Sequence, residues 1–325
     1  MRVGVIGVGS MGQNHARVYA ELGELVGVCD KDSVAGKVVA QRFGTSCFSS
    51  HDDLLSEGVE AVSIATPTDL HFDIAREAID RGVHVLLEKP FCGDVRKAEK
   101  LTQLARDQGV VLAAGMIERH NPVVEFAQNA VRQGVYGDVI TVSSRRVSSF
   151  PSRVRDVGVM MDLGIHDIDV MRHLVGSDVT SVYSVGGKER HEVFEDHATA
   201  LLTFTSGVTG VVEVNWLTPM KVRKLALTCL KHFVELDYVN QTLEISSSTL
   251  MGYDPSDLYQ APFEHDVRRV ALKKQEPLKR EIGDFLRAIE EKREPLVDGG
   301  EAVKTLAVVA AIMESHAKGV PVKPS

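Results

Sequence analysis

The chain is predicted to fold as an α/β protein: an N-terminal doubly wound parallel sheet, then an α+β domain built on an open-faced, mostly antiparallel sheet. Three observations predict this. Short continuous apolar runs alternate with helical periods as far as about Val124, Val- and Thr-rich segments take over after Gly137, and the first strand runs straight into a glycine triplet.

The first domain is assigned to residues 1–122. Its apolar runs are Val3 to Ile6, Leu25 to Cys29, Ala61 to Ala65, Val83 to Leu87 and Val110 to Ala114. They are continuous rather than alternating because a crossover sheet buries both faces of its strands. Helical periods near Met11 to Leu22, Val34 to Phe43, His71 to Arg81 and Asp94 to Gln108 supply the crossovers. The second domain, 123–325, reads as strands at Val139 to Val147, Val179 to Val185, Ala198 to Phe204, Val208 to Trp216, Leu225 to Cys229, Val234 to Leu236 and Leu243 to Ile245. Several alternate, which suits a sheet with one face solvated or used for association. One helix lies at about Met161 to Leu174, and two more, Pro277 to Glu291 and Glu301 to Lys318, close the chain and are free to pack back on the first domain.

Gly7-x-Gly9-x-x-Gly12 follows the first strand, and Asp30 ends the second. Gly7 permits the tight turn, Gly9 lets a pyrophosphate approach the backbone, and Gly12 lets the helix pack on the sheet. Phosphates then meet the helix N-terminus, where Ser10 and Met11 form the first turn and unpaired N–H groups and the helix dipole stabilise anions. Asp30 stands at the spacing from which an acid accepts hydrogen bonds from the adenosine ribose, and a carboxylate there repels a 2′-phosphate. NAD is therefore favoured over NADP. Lys31 pulls the other way, since a cation beside Asp30 could hold a 2′-phosphate, and glycine triplets also mark ordinary strand-to-helix turns.

Thr66-Pro67 and Glu88-Lys89-Pro90 follow two of the apolar strands, at the carboxyl ends where a doubly wound sheet binds its ligands. Burial there would tune Lys89 as a proton donor or acceptor; the alternative is a strand-end ion pair with Glu88. Asp162 and His166 are four apart on a helix, so the carboxylate can orient the imidazole as a general base requires. Asp162 as a simple helix cap, or the pair with Asp169 as a metal site, are the competing readings. Arg145, Arg146, Arg153 and Arg155 crowd into eleven residues with Ser148, Ser149 and Ser152, a composition suited to cradling a diphosphate. Arg145 and Arg146 must face opposite sides of a strand, so some of the four read equally as solvated strand residues.

Composition sets outer limits. With 37 Lys and Arg against 45 Asp and Glu the formal charge is −8, which gives no support to nucleic-acid binding. No apolar run is long enough for a membrane span, and the four cysteines have no metal-site spacing, so a cytoplasmic protein with reduced thiols and no bound metal is expected.

In the order Gly7-Val-Gly9-Ser-Met-Gly12, Thr66-Pro67 with His71, Glu88-Lys89-Pro90 and Asp162-x-x-x-His166, the chain resembles the family of glucose-fructose oxidoreductase and inositol dehydrogenase relatives. The resemblance implies an NAD(P)-binding Rossmann domain and a C-terminal sheet that carries substrate residues and builds a homodimer or homotetramer. It implies catalytic roles for Lys89, Asp162 and His166, and places Thr66, Pro67, His71 and Glu88 around the nicotinamide half of the cofactor. The Lys89-Pro90 bond is expected to be cis. Where many members carry glycines before the aspartate, this chain reads Arg153-Val-Arg155-Asp-Val-Gly158-Val-Met-Met-Asp162. That stretch, with Gly115-Met-Ile-Glu118-Arg119-His-Asn121-Pro122, resembles the branch acting on UDP-N-acetylhexosamines, particularly UDP-N-acetylglucosamine 3-dehydrogenases. Arg119, Asn121, Arg153 and Arg155 then become candidates for sugar and diphosphate contacts, beside Asp162 and His166. The expectation is that folding brings Lys89, Asp162 and His166 together over one sugar hydroxyl. Two other readings stand beside it: a dehydrogenase of a neutral polyol such as myo-inositol, and a regulator that senses NAD without catalysis.

Overall fold

The computed structural model describes residues 1–151, 157–250 and 263–325. They form two compact units, one of residues 1–120 with 276–310 and one of 121–275 with 311–325.

In the first unit the strands are β1 (Val3–Ile6), β2 (Leu25–Cys29), β3 (Ser46–Phe48), β4 (Ala61–Ile64), β5 (His84–Glu88) and β6 (Leu112–Gly115). The helices among them are α1 (Ser10–Leu22), α2 (Ser33–Phe43), α3 (His51–Ser56), α4 (Thr68–Asp80) and α5 (Val95–Gln108). The sheet order is β3-β2-β1-β4-β5-β6, and every pair is parallel. β1 lies between β2 and β4, so the winding reverses there, and the carboxyl ends of these strands open the crevice in which such sheets bind ligands. β1, β4 and most of β5 are buried throughout, which is why their sequences show no polar alternation.

The chain returns to this unit near its end. Leu278, Ile282, Phe285 and Leu286 share one core with Val5, Val18, Tyr19 and Leu86, so the later helix covers the sheet beside α1. Capping is uneven and informative. α2, α3 and α5 begin on Asp32, Ser50 and Asp94, whose side chains accept N–H bonds of the first turn, whereas α1 begins on Gly9 with no side chain in that role.

The second unit begins with α6 (Pro122–Arg132), β7 (Val139–Val147), α7 (Ile165–Val175), β8 (Val179–Gly187) and β9 (His197–Phe204). It continues with β10 (Thr209–Asn215), β11 (Val222–Cys229), β12 (Phe233–Asp237), β13 (Thr242–Leu250) and β14 (Phe263–Ala271). After these strands come α8 (Pro277–Glu291), which belongs to the first unit, and α9 (Gly299–Lys318), whose residues divide between the two units. The eight strands form one sheet in the order β14-β13-β12-β11-β7-β10-β9-β8; β7 pairs with β10 in parallel and the other neighbours are antiparallel. β9 alternates buried and exposed along its length. On the exposed face Tyr183, Leu201 and Val211 are cross-strand partners across β8, β9 and β10, and all three are exposed, an apolar row at the middle of three adjacent strands.

Candidate functional site

In the first unit the glycine turn has the geometry of a phosphate cradle. Gly7 has φ +86°, a left-handed conformation, and a Cβ there would come within 2.7 Å of the Ala65 carbonyl oxygen. A Cβ on Gly12 would stand 1.8 Å from the Gly7 oxygen, so α1 can sit this close only with glycine at that position. A Cβ on Gly9 would meet nothing within 4 Å. The backbone is therefore bare toward open space at the start of α1, whose first turn, led by Ser10 and Met11, has no side-chain cap and no acidic residue. Those N–H groups suit a pyrophosphate.

Asp30 directly follows β2 at the rim of the same space. Its Oδ2 accepts the Val8 N–H at 2.7 Å and its Oδ1 the Asp32 N–H at 2.9 Å. One carboxylate thus pins the glycine turn to the second strand, and each of its oxygens keeps a further lone pair for a ribose hydroxyl. A groove of about 450 Å³ is lined by Gly7, Gly9, Asp30, Lys31, Thr66 and Pro67 among others. These residues fit a dinucleotide: anion-binding N–H groups at one place, a ribose acceptor at another, and a glycine where a side chain would fill the cradle.

His71, on α4, ties two strand ends of this rim together. It is buried, with Nδ1 2.9 Å from the Pro90 carbonyl oxygen and Nε2 2.9 Å from that of Thr66. Burial pulls its pKa below the ordinary histidine value despite those carbonyls, so the neutral ring donates to one of them. Next to it, Glu88 is buried at the end of β5, its Oε2 accepts the Lys89 N–H at 3.1 Å, and the Lys89-Pro90 bond is cis.

In the second unit Asp162 lies in a wide π turn, Met160–Gly164, that leads directly into α7, and His166 is in the first turn of α7. Asp162 is buried and His166 half-buried. Asp162 is inside the turn rather than at its cap, with its own N–H donating to the Gly158 oxygen at 3.0 Å. A π turn is one residue wider than an α turn and is often found at functional positions.

An acid that sequence reasoning did not single out supports this start, and the acid next to it holds a neighbouring loop. Glu195 Oε1 accepts the Met160 N–H at 3.1 Å and its backbone oxygen accepts the Val159 N–H at 3.0 Å. Gly158 is required beside it, because a Cβ there would fall 2.0 Å from Glu195 Oε2. Burial raises the Glu195 pKa. Asp196 Oδ2 accepts the backbone N–H groups of Glu189, Arg190 and His191 at 2.8, 2.6 and 3.1 Å. Burial works to raise its pKa, but these bonds and His197 outweigh it and hold it at about 2.

The arginine cluster divides. Arg145 is the solvated strand residue that strand alternation allowed, and the expectation of a diphosphate cradle is corrected for Arg146. Arg146 is buried, forked onto buried Asp167 at 2.9 and 3.0 Å, and stacked over Tyr238 at 5.2 Å, while exposed Arg145 pairs with Glu213 at 3.2 Å. A bidentate buried pair fixes the guanidinium inside the fold, since breaking it would strand a charge. Arg153 and Arg155 lie outside the described residues. Arg119 is buried with Nη2 2.7 Å from Glu301, and Asn121 is the cap of α6, accepting the Val123 N–H at 3.4 Å and donating to the Tyr238 oxygen at 3.1 Å.

Among the described residues, the one cluster of three or more metal-ligand side chains within mutual reach is His15, Glu88 and Glu281, which does not include Asp162, His166 or Asp169. The four cysteines are free. No described helix is long and apolar enough to cross a membrane.

Residues 1–116 match the profile of an oxidoreductase family with an NAD-binding Rossmann fold, and residues 124–234 match that of the GFO/IDH/MocA C-terminal domain. The UDP-N-acetylglucosamine 3-dehydrogenase of Acidithiobacillus ferrooxidans is 34% identical over 315 residues, covering 96% of both chains. A solved structure of that enzyme superposes with a TM-score of 0.88 at 33% identity over 98% of both chains. The NAD-dependent scyllo-inositol 2-dehydrogenase of Bacillus subtilis is 25% identical, covering 99% of this chain and 96% of its own. A levoglucosan dehydrogenase solved with NADH shares the fold at a TM-score of 0.88 and 20% identity, over 100% of this chain and 99% of its own.

Proposed function

The chain belongs to the GFO/IDH/MocA family of NAD-binding sugar oxidoreductases, and from that premise we propose that it oxidises the C3 hydroxyl of UDP-N-acetylglucosamine to a ketone. The observation that carries this choice of substrate is the 34% identity to the Acidithiobacillus ferrooxidans enzyme over nearly the whole of both chains. Bound NAD supplies the hydride acceptor. His166 takes the proton of the hydroxyl, Asp162 orients the imidazole and stabilises its protonated form, and Lys89 donates a hydrogen bond to the oxygen as negative charge develops on it.

Support for Lys89 comes from its place directly after β5, at the ligand-binding end of the parallel sheet. Support for His166 comes from the π turn that carries Asp162 into the same helix. Gly7, Gly9, Gly12, Asp30 and Lys31 serve the adenosine and pyrophosphate end of the cofactor, and Thr66, Pro67, His71 and Glu88 the nicotinamide end. Arg153 and Arg155 are the residues proposed for the diphosphate of the substrate. Arg119 and Asn121 shape the sugar site from their buried places. The protein works in the cytoplasm as a homodimer or homotetramer, for which the exposed row Tyr183, Leu201 and Val211 is the proposed contact. Leu201→Glu would then lower the mass measured by light scattering to that of one chain.

The second reading, a neutral polyol as substrate, is favoured by the match to the inositol dehydrogenase. Reduction of NAD and NADP is followed by absorbance over a panel of UDP-sugars, free hexoses and inositols. UDP-N-acetylglucosamine with NAD is the expected best pair, with KM rising as salt screens the diphosphate. A preference for inositol, insensitive to salt, would replace the nucleotide sugar as substrate.

A further inference from the structure

One buried polar cluster of the first unit is left unused by this mechanism. His15 and Tyr19, one turn apart on α1, and Ser63 on β4 are all fully buried. The Tyr19 hydroxyl lies 2.8 Å from Ser63 Oγ, Ser63 Oγ lies 3.1 Å from His15 Nδ1, and His15 Nε2 lies 2.9 Å from Glu88 Oε1. The other oxygen of Glu88 accepts the Lys89 backbone N–H at 3.1 Å. A continuous chain of hydrogen bonds therefore runs from the packed interior of α1 to the residue that follows β5.

Each link has a physical reason. Burial alone would raise the Glu88 pKa, but the hydrogen bond and charge of His15, with Lys89, outweigh it and hold the carboxyl below its usual value. An ionised carboxylate only accepts, so His15 Nε2 is the donor. Glu281, on α8, brings a second carboxylate, and its oxygen, His15 and Glu88 have ligand atoms within 4.8 Å of one another. Ser63 holds the opposite nitrogen, so the ring cannot turn without breaking a buried bond, and Tyr19 holds Ser63. On the far side of Glu88, Gly115 leaves the carboxylate its space, since a Cβ there would come within 3.0 Å of Glu88 Cδ.

We propose that His15, held in place by Ser63 and Tyr19, is a positioning residue for the dehydrogenase reaction: it fixes the Glu88 carboxylate and, through it, the backbone from which Lys89 projects. The proposal rests on the reading of Lys89 as a catalytic group. His15 touches neither substrate nor cofactor in this role and acts only through Glu88.

The test uses the whole enzyme, NAD and the best sugar of the panel. His15→Leu lowers kcat about tenfold, as expected for residues coupled in one hydrogen-bond network, while the NAD dissociation constant stays within about twofold. His15→Gln, whose amide nitrogen still donates toward Glu88, recovers most of that loss. In a Glu88→Gln background His15→Leu brings no further loss, whereas a merely structural contribution would add its loss in either background. Tyr19→Phe and Ser63→Ala, which leave the imidazole in place, show smaller losses of about three- to fivefold in kcat and serve if His15→Leu does not fold. Wild-type kcat in a folded His15→Leu, or in both Tyr19→Phe and Ser63→Ala, overturns the proposal, and so does an additive loss in the Glu88→Gln background. If Lys89→Ala turned over at the wild-type rate, the role of Lys89 would fail instead, so the two failures are told apart.

Discussion

The glycine turn of the first unit and the helix start of the second hold their polar groups in place in different ways. At the glycine turn nearly everything follows from sheet topology. Gly7, Asp30, Thr66 and Glu88 stand at or just beyond the ends of β1, β2, β4 and β5, so the winding of the sheet delivers them to one rim. At the start of α7 topology delivers nothing. Asp162 is held by a local turn, and that turn depends on Glu195 and Gly158, which come from distant and adjacent chain respectively. The first arrangement draws on the ends of four strands, the second on one buried side chain and the glycine beside it.

This contrast can be broken or sharpened by substitution. The largest effects belong to the groups proposed to react. Lys89→Ala and His166→Ala each lower kcat by roughly 10² to 10⁴, the ordinary worth of a general acid or base, with NAD affinity retained. Turnover at the wild-type rate in either would remove that residue from the chemistry.

The two helix-start glycines come next, because they separate ligand from fold. Gly9→Ala leaves the melting temperature unchanged but weakens NAD about tenfold or more, about 1.4 kcal/mol, since its methyl enters open space where a phosphate is expected. Gly12→Ala destabilises the protein itself, since its Cβ would meet the Gly7 oxygen at 1.8 Å. Equal melting temperatures with equal NAD affinities would contradict the cradle.

In the second unit Asp196→Asn lowers stability at neutral pH by about 2 kcal/mol, the linkage value of a shift from 3.8 to about 2. The sign is set by the depressed folded pKa: wild-type stability is fully present above pH 3.8 and is lost as pH falls toward 2. The variant lacks that slope, and denaturation titrations across this window will show it.

Glu195→Gln has the smallest effect, within about 1 kcal/mol, because the amide oxygen still accepts the Met160 N–H. Here the folded pKa is raised, so burial penalises the wild type above it. The variant's melting temperature, relative to wild type, therefore rises with pH through the carboxylate range. A flat difference would show that Glu195 is charged without penalty.

Much of the first unit was legible from its sequence because buried parallel strands are apolar and continuous and glycine spacing reports backbone approach. β3, three residues long, and the short acidic helix α3 escaped because neither has a full period of apolar residues. β14 escaped for another reason. It carries His265, Asp266, Arg268 and Arg269 and is the edge of its sheet, where charges ward off further pairing and hide the apolar pattern.

At the start of α7, the four-residue spacing of Asp162 and His166 was visible, yet the turn that carries Asp162 is π rather than α, and its support by Glu195 has no signal in local sequence. His15 and Tyr19 did leave one: two polar residues four apart on the apolar face of α1, where burial demands partners. Arg146 misled because composition alone cannot tell a guanidinium facing solvent from one buried on an aspartate of the next helix.

The most direct test follows a single hydrogen. UDP-N-acetylglucosamine deuterated at C3 is incubated with enzyme and NAD, and the reduced cofactor is analysed by mass spectrometry. One deuterium should appear in the nicotinamide ring, with none transferred from substrate labelled at C4. Reduced cofactor without deuterium from the C3 label would contradict oxidation at that carbon.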